Sequence, residues 1–242
     1  MLKLFQSEFL KLRKSSIWLL TLVSPVLSAL FRLNNSMYDK LDHPWLLTFA
    51  LMSSVHSLLF LPLLTGVFSA FLCRYEHVGG GWKQLLALPV TRKNVYFVKF
   101  FMVLGLLGMT QILFVGAFLL IGLLKGFGAP VPWKEIGWSV FSGWIACIPL
   151  AALQIFVSAV WTSFAAPLAV NVIFTLPNIL IVHSAKYGPF YPWAQPFLGM
   201  MLHSEDSFGS LNMPFETLFV VILGSFILFF FSGLLYFQRK EF

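Results

Sequence analysis

The sequence predicts an all-α integral membrane protein: six transmembrane helices, an N-terminal interfacial (elbow) helix, and both termini in the cytoplasm. Three observations predict it. Of 242 residues, 59% are apolar and only 10% are charged, where a soluble chain carries roughly 25% charged residues; the mean hydropathy is +0.86. The apolar residues fall in charge-free runs of membrane-spanning length. The charges fall mostly on one side of those runs. This makeup excludes a soluble enzyme, a disulfide-rich secreted scaffold and a disordered chain.

The elements follow in order, on a hydrocarbon core that takes about 20 apolar residues to cross. In residues 1–14, Leu2, Phe5, Phe9 and Leu12 share one helical stripe, with Lys3, Ser7, Lys11 and Lys14 opposite. That pattern suits a short helix lying in the membrane interface, and no small-residue cleavage site follows to make it a signal peptide. The first span covers about 15–33, with Arg32 at its end expected to snorkel outward. The second covers 45–73 and is long enough to tilt or to bend at Pro62. The third covers 97–124. From Ile136 to Ala185 no Asp, Glu, Lys or Arg occurs. A single helix that long would far exceed the ~30 Å core, so the stretch folds as a hairpin of spans 136–161 and 165–183, turning at Trp161–Pro167. The last span covers 215–238. Together they form one transmembrane domain, 1–242, with a cytoplasmic loop at 74–96 and an extracellular loop at 184–214.

Side assignment comes from the basic residues. The amino end, the 74–99 region and the tail hold eleven Lys or Arg against Glu8, Glu76 and Glu241, a balance of +8, and the opposite loops balance at −1. The positive-inside rule puts the +8 side in the cytoplasm. The net charge of +7 is thus a topology signal, with no nucleic-acid partner implied.

Catalytic patterns are missing. There is no Gly-Lys-Ser/Thr phosphate loop, and Gly79-Gly80-Gly81 lacks that spacing and reads as a turned linker. The five His lie on different segments, Cys73 and Cys147 fall on opposite halves of the bilayer, and no catalytic or metal-binding constellation forms. Within the spans sit His56, Gln111, Gln154, Asn171 and Asn178, and away from the span ends no Asp, Glu, Lys or Arg occurs. His56 fits an interhelical hydrogen bond. With no charged residue inside the membrane, an ion-coupled pump is disfavoured, and the driving energy is expected from a partner.

Two loops attract function. The cytoplasmic one reads Arg74-Tyr75-Glu76-His77, three glycines, then Trp82-Lys83-Gln84-Leu85-Leu86-Ala87-Leu88-Pro89. Trp82, Leu85, Leu86 and Leu88 predict a short helix with an exposed apolar face ended by Pro89, flanked by Lys83, Arg92 and Lys93. Such a knob suits either a soluble partner or the lipid headgroups. The extracellular loop carries Tyr187, Phe190, Tyr191 and Trp193 among prolines, expected as short interfacial or re-entrant segments. Phe190, Tyr191 and Trp193 are candidate cargo contacts; an aromatic belt anchoring the last two spans is the competing reading.

The stretch 74–99 resembles the first cytoplasmic loop of type-2 ABC exporter permeases (the ABC-2 family), and Ser7–Ser15 resembles their amino-terminal interfacial helix. Size and span count fit along the whole chain, most nearly the branch serving lantibiotic and bacteriocin immunity or peptide-antibiotic resistance. The resemblance implies a bacterial plasma-membrane permease with no catalytic residue and no cofactor of its own, ATP and Mg being bound by a separate ABC ATP-binding subunit. It implies a coupling segment from Trp82 to Leu88 that docks on that subunit, preceded by Glu76, with Arg74 and Pro89 at its edges. It also implies a second copy or a related permease, the lipid bilayer, and a hydrophobic peptide cargo moved outward. The alternatives are an exporter of lipid or a small drug, and a non-transporting scaffold or sensor recruiting a cytoplasmic ATPase.

Overall fold

A computed structural model describes residues 2–13, 15–35, 43–77, 81–87, 89–201 and 215–240, with the side chains of Leu86, Ala87 and Phe215 left out. Only helices and their connecting turns occur among these residues. They are α1 (Leu2–Arg13), α2 (Ile17–Asn34), α3 (Pro44–Val55), a π-helical turn (His56–Phe60), α4 (Leu61–His77), α5 (Gly81–Ala87), α6 (Arg92–Leu124), α7 (Trp133–Ala146), α8 (Ile148–Val160), α9 (Ala165–Thr175), α10 (Asn178–Ile181), α11 (Gln195–Met200) and α12 (Phe215–Arg239).

Five helical stretches are long and apolar enough to cross a membrane: Ile17–Asn34, Pro44–His77, Arg92–Leu124, Trp133–Val160 and Glu216–Arg239. Several run past the expected limits, since a helix continues into the interface once its backbone bonds are made. Ala165–Ile181, the expected fifth span at 165–183, is shorter. It is split between α9 and α10 at Leu176 and Pro177, where the proline supplies no N–H to continue the ladder. Where six spans were expected, five helices have spanning length, and the stretch expected as the fifth span is short and broken.

The unbroken α6 is the mast of the bundle, and phenylalanine joins it to its neighbours. Phe49 of α3 meets Phe114 and Phe118 at ring separations of 6.0 and 5.6 Å. On another side, Phe97 and Phe100 each lie 5.0 Å from Phe230 of α12. Lipid tails are as apolar as these rings, so packing and polar bonds between helices stabilise the bundle more than apolar burial does; each such aromatic pair adds about 0.5–1.5 kcal/mol.

Arg32 departs from expectation. It does not snorkel to the surface but is fully buried, its Nε donating to Thr48 Oγ1 at 2.9 Å and its Nη1 to the Asn35 carbonyl at 2.8 Å. Acceptors on α3 and on its own helix end hold the guanidinium inside. His56 does make interhelical hydrogen bonds, to Ser24 Oγ at 2.5 Å and Gln111 Oε1 at 3.1 Å.

One end of the bundle gathers α1, α5, the start of α6 and the ends of α4, α8 and α12. Arg92 donates to the carbonyls of Gln238 and Lys240, and Lys240 Nζ donates to those of Ala159 and Val160 at 2.8 and 2.9 Å. Cations thus cap the C-termini of α12 and α8, where the helix dipoles favour them. At the opposite end α11 lies against α7, with Ser139 and Ser142 donating to the carbonyls of Met200 and Gly199. Its short helix is covered by protein, one of the circumstances in which irregular backbone is tolerated at membrane depth.

Candidate functional site

The site at the basic end begins with the face that α1 turns to the bundle. That face is Leu4, Glu8 and Leu12, one per turn, all buried. Leu2, Phe5, Phe9 and Leu10 are exposed, so the expected apolar stripe faces outward except for Leu12, which packs inside.

Glu8 enters a cluster of four charges. Lys99 Nζ lies 2.8 Å from Glu8 Oε2 and 2.9 Å from Glu76 Oε2. Lys11 Nζ lies 2.5 Å from Glu8 Oε1 and 2.7 Å from Glu76 Oε1. Two ammonium groups therefore bridge two carboxylates and tie α1, α4 and α6 together. Lys99 also donates to the Leu72 carbonyl at 2.8 Å. Lys99, Glu8 and Glu76 are each 2% exposed, so the ions are out of water and each depends on the others.

Burial alone would raise the Glu8 carboxyl, but Lys99 and Lys11 outweigh it and hold the group below its ordinary 4.5. A carboxyl with a lowered folded value stabilises above its unfolded value, and the effect is lost as pH falls through the folded one. The docking of α1 should accordingly persist from pH 7 down through the usual carboxylate range and fail only in stronger acid. Limited proteolysis of α1 across that range, with Glu8→Gln as the variant lacking the response, checks it.

The loop beyond Glu76 is mostly helix, since α4 runs to His77 and α6 starts at Arg92. Gly81 opens α5 because a Cβ there would meet the Glu76 Cα at 2.8 Å. Of the expected exposed apolar knob, the two described side chains point inward: Trp82 is 4% exposed and Leu85 9%. The reason is the company Trp82 finds. Its ring lies 5.1 Å from Phe237 of α12 and 5.6 Å from Lys99 Nζ, and its Nε1–H donates to His77 Nδ1 at 3.2 Å. His77 Nε2 in turn lies 2.9 Å from the Ser158 carbonyl of α8. Trp82 thus roofs the ion cluster and links α5 to α4, α6 and α12 directly, and to α8 through His77. Lys83 and Gln84 face outward. Arg74 is exposed with its guanidinium 5.3 Å from the Phe164 ring, and Pro89 is exposed. Leu88 and the Leu86 side chain lie outside the described residues.

At the other end, the three expected cargo contacts separate. Phe190 is 67% exposed. Tyr191 is partly buried, its hydroxyl donating to the Phe174 carbonyl. Trp193 is 6% exposed, stacked 5.0 Å from Phe174, with Nε1–H donating to Asn171 Oδ1 at 2.9 Å. Trp193 is part of the scaffold and offers no free face to a cargo. An open groove of about 530 Å³ runs here, lined by Leu180, Ile181, Ser184, Tyr187, Phe190 and Tyr191.

Sequence reasoning passed over Glu8, Lys11 and Lys99 as site residues. A faint signal existed: Glu8 is the only acid before Asp39, and it sits on the line of Leu4 and Leu12. Lys99 heads a long apolar run, where a flanking cation is ordinary, so its pairing left no mark.

A family model described as an ABC-2 family transporter protein matches residues 4–178. The match takes in α1, the ion cluster and α5, and ends at Asn178. None of the curated proteins compared with the chain matches it. With more than half its length matched and five apolar helices of spanning length, the chain belongs to the ABC-2 transporter family, as a multi-pass membrane permease subunit that works with an ABC ATP-binding subunit.

Proposed function

We propose that the permease is the membrane path of an ATP-driven exporter that moves a hydrophobic peptide, of the lantibiotic or bacteriocin kind, out of the membrane for self-protection or resistance. The observation that supports the cargo class is the groove at the end remote from α5. Apart from Ser184 its lining is aliphatic or aromatic, and Tyr187 and Phe190 are 63% and 67% exposed beside α10, where Leu180 is 78% exposed. An apolar cleft opening sideways onto lipid suits an amphipathic chain leaving the bilayer. On this reading the +8 end with both termini is cytoplasmic, and α9 with α10 returns the chain across the membrane as the fifth of six passes. Two such permeases, identical or related, flank the path.

ATP and Mg belong to the partner ATPase. The ATPase meets α5 through Lys83 and Gln84, with Arg74 and Pro89 alongside. Because Trp82 and Leu85 point inward, α5 acts as a rigid block, passing ATPase movement to α4 and α12 through the buried indole.

Vesicles holding the permease and its ATPase, loaded with a fluorescently labelled lantibiotic, test the cargo. ATP-dependent movement is expected, and Tyr187→Ala with Phe190→Ala should lower it about tenfold, the range for two lost apolar contacts, while basal ATP hydrolysis without peptide stays unchanged. ATP turnover with no peptide movement in the unmodified protein would favour the scaffold or sensor reading instead.

A further inference from the structure

The helix from Pro44 to His77 is 34 residues long and apolar over most of its length, yet its ladder is interrupted midway. The Leu61 N–H bonds back to the His56 carbonyl, five residues away, making the π turn His56–Phe60 between α3 and α4. Pro62 follows, with no N–H to give to the Leu58 carbonyl. That carbonyl accepts from Asn178 Nδ2 at 2.8 Å. Asn178 is the first residue of α10, directly after Pro177, which breaks the neighbouring helix. Two proline breaks therefore lie side by side, and the amide that one break lacks is supplied by a side chain at the other.

Asn171 makes the companion stitch from the α9 side. Its Nδ2 donates to the Pro62 and Leu63 carbonyls at 3.0 and 3.1 Å. Its Oδ1 accepts from Gln154 and from Trp193, both at 2.9 Å. Gly66 makes the approach possible, since a Cβ there would lie 2.2 Å from Asn171 Nδ2. Asn178 spends its second N–H on the Trp193 carbonyl at 2.9 Å. Asn171 and Asn178 are buried to 1% and 0% exposure, so neither amide has water as an alternative partner.

We infer that the π turn at His56–Phe60 is a switchable joint: Asn178 and Asn171 hold it at one angle, and the ATPase cycle releases them so that α4 tilts against α3. The two sides of the joint are anchored differently. On the α3 side, Phe49 packs on Phe114 and Phe118, and the His56 ring stacks 4.1 Å from Phe114. On the α4 side, the far end carries Glu76 and leads into α5, so load from the ATPase enters there. Lys11 and Lys99 reach Glu76 through flexible four-carbon stems, which lets that end shift while its ion contacts persist. Side-chain bonds to orphan carbonyls have two discrete states, made and open, as a switch requires. The joint does not depend on which cargo is moved.

Hydrogen exchange on the permease–ATPase complex in lipid nanodiscs tests it, comparing the nucleotide-free state with the state trapped by ATP and vanadate. Exchange of amides 56–66 is expected to rise about tenfold on trapping, as in local opening, while amides 107–120 of the unbroken α6 stay unchanged. Asn178→Ala should give the same rise without nucleotide. Pro62→Ala restores a backbone donor to the Leu58 carbonyl and favours continuous helix, so it should fold and show no nucleotide response at 56–66. Unchanged exchange at 56–66 in the trapped native complex overturns the proposal. So does a native-like nucleotide response in Pro62→Ala, or unchanged exchange in Asn178→Ala.

Discussion

Lys99→Met is expected to be among the most destabilising single substitutions in the chain, costing about 3–5 kcal/mol. Methionine fills the space but leaves Glu8 and Glu76, each 2% exposed, as carboxylates with one cation fewer. Lys11 alone, with 31% of its side chain exposed, compensates them poorly. A total stability of ~5–15 kcal/mol makes a loss of that size visible as a large drop in the thermal midpoint in detergent and as early proteolysis of α1. The triple variant Glu8→Gln, Lys99→Met, Glu76→Gln should regain much of the loss, because replacing an ion cluster as a unit removes the buried charges. A triple variant no better than Lys99→Met would mean the damage comes from packing around Lys99 and not from orphaned carboxylates.

Trp82→Ala is the second. Truncating a buried tryptophan costs about 3–5 kcal/mol, and here the loss falls where α5 meets Phe237, His77 and Lys99. The variant should still bind its ATPase through Lys83 and Gln84, yet ATP hydrolysis should no longer respond to cargo, since the block that transmits movement has come loose. Trp82→Phe keeps the apolar roof and gives up the bond to His77, so it should fall between the two. ATPase assays of the three complexes in vesicles, with and without peptide, check the order.

The helices were legible where composition alone decides. Charge-free runs located the five long apolar helices to within a few residues, and the one-sided basic residues marked the end at which α1, α5 and the tail meet. Pro62 marks the neighbourhood in which the helix ladder is interrupted, although the π turn itself leaves no trace in the sequence. What stayed hidden were choices between partners of equal chemistry. The periodicity of Trp82 and Leu85 shows that α5 has an apolar face, but an apolar face alone does not say whether bundle or partner receives it. Glu8 and Lys99 stand 91 residues apart in sequence, and no local pattern pairs them. Arg32 at a span end reads as a snorkelling cation unless Thr48 is known to sit beside it. Trp193 in an aromatic run reads as an interfacial ring, whereas its indole N–H serves Asn171. Pro177 splits an apolar run whose composition has no bearing on where it breaks.

The central claim is that α5 delivers ATPase movement to the bundle by its outward face. A photo-crosslinking amino acid placed at Lys83, with a second at Ile112 on the lipid-exposed side of α6 (74% exposed), tests it most directly in membranes that contain the ABC ATP-binding subunit. Crosslinking to that subunit from position 83 and none from position 112 is the predicted result. A complex that hydrolyses ATP while position 83 captures only lipid would contradict the account.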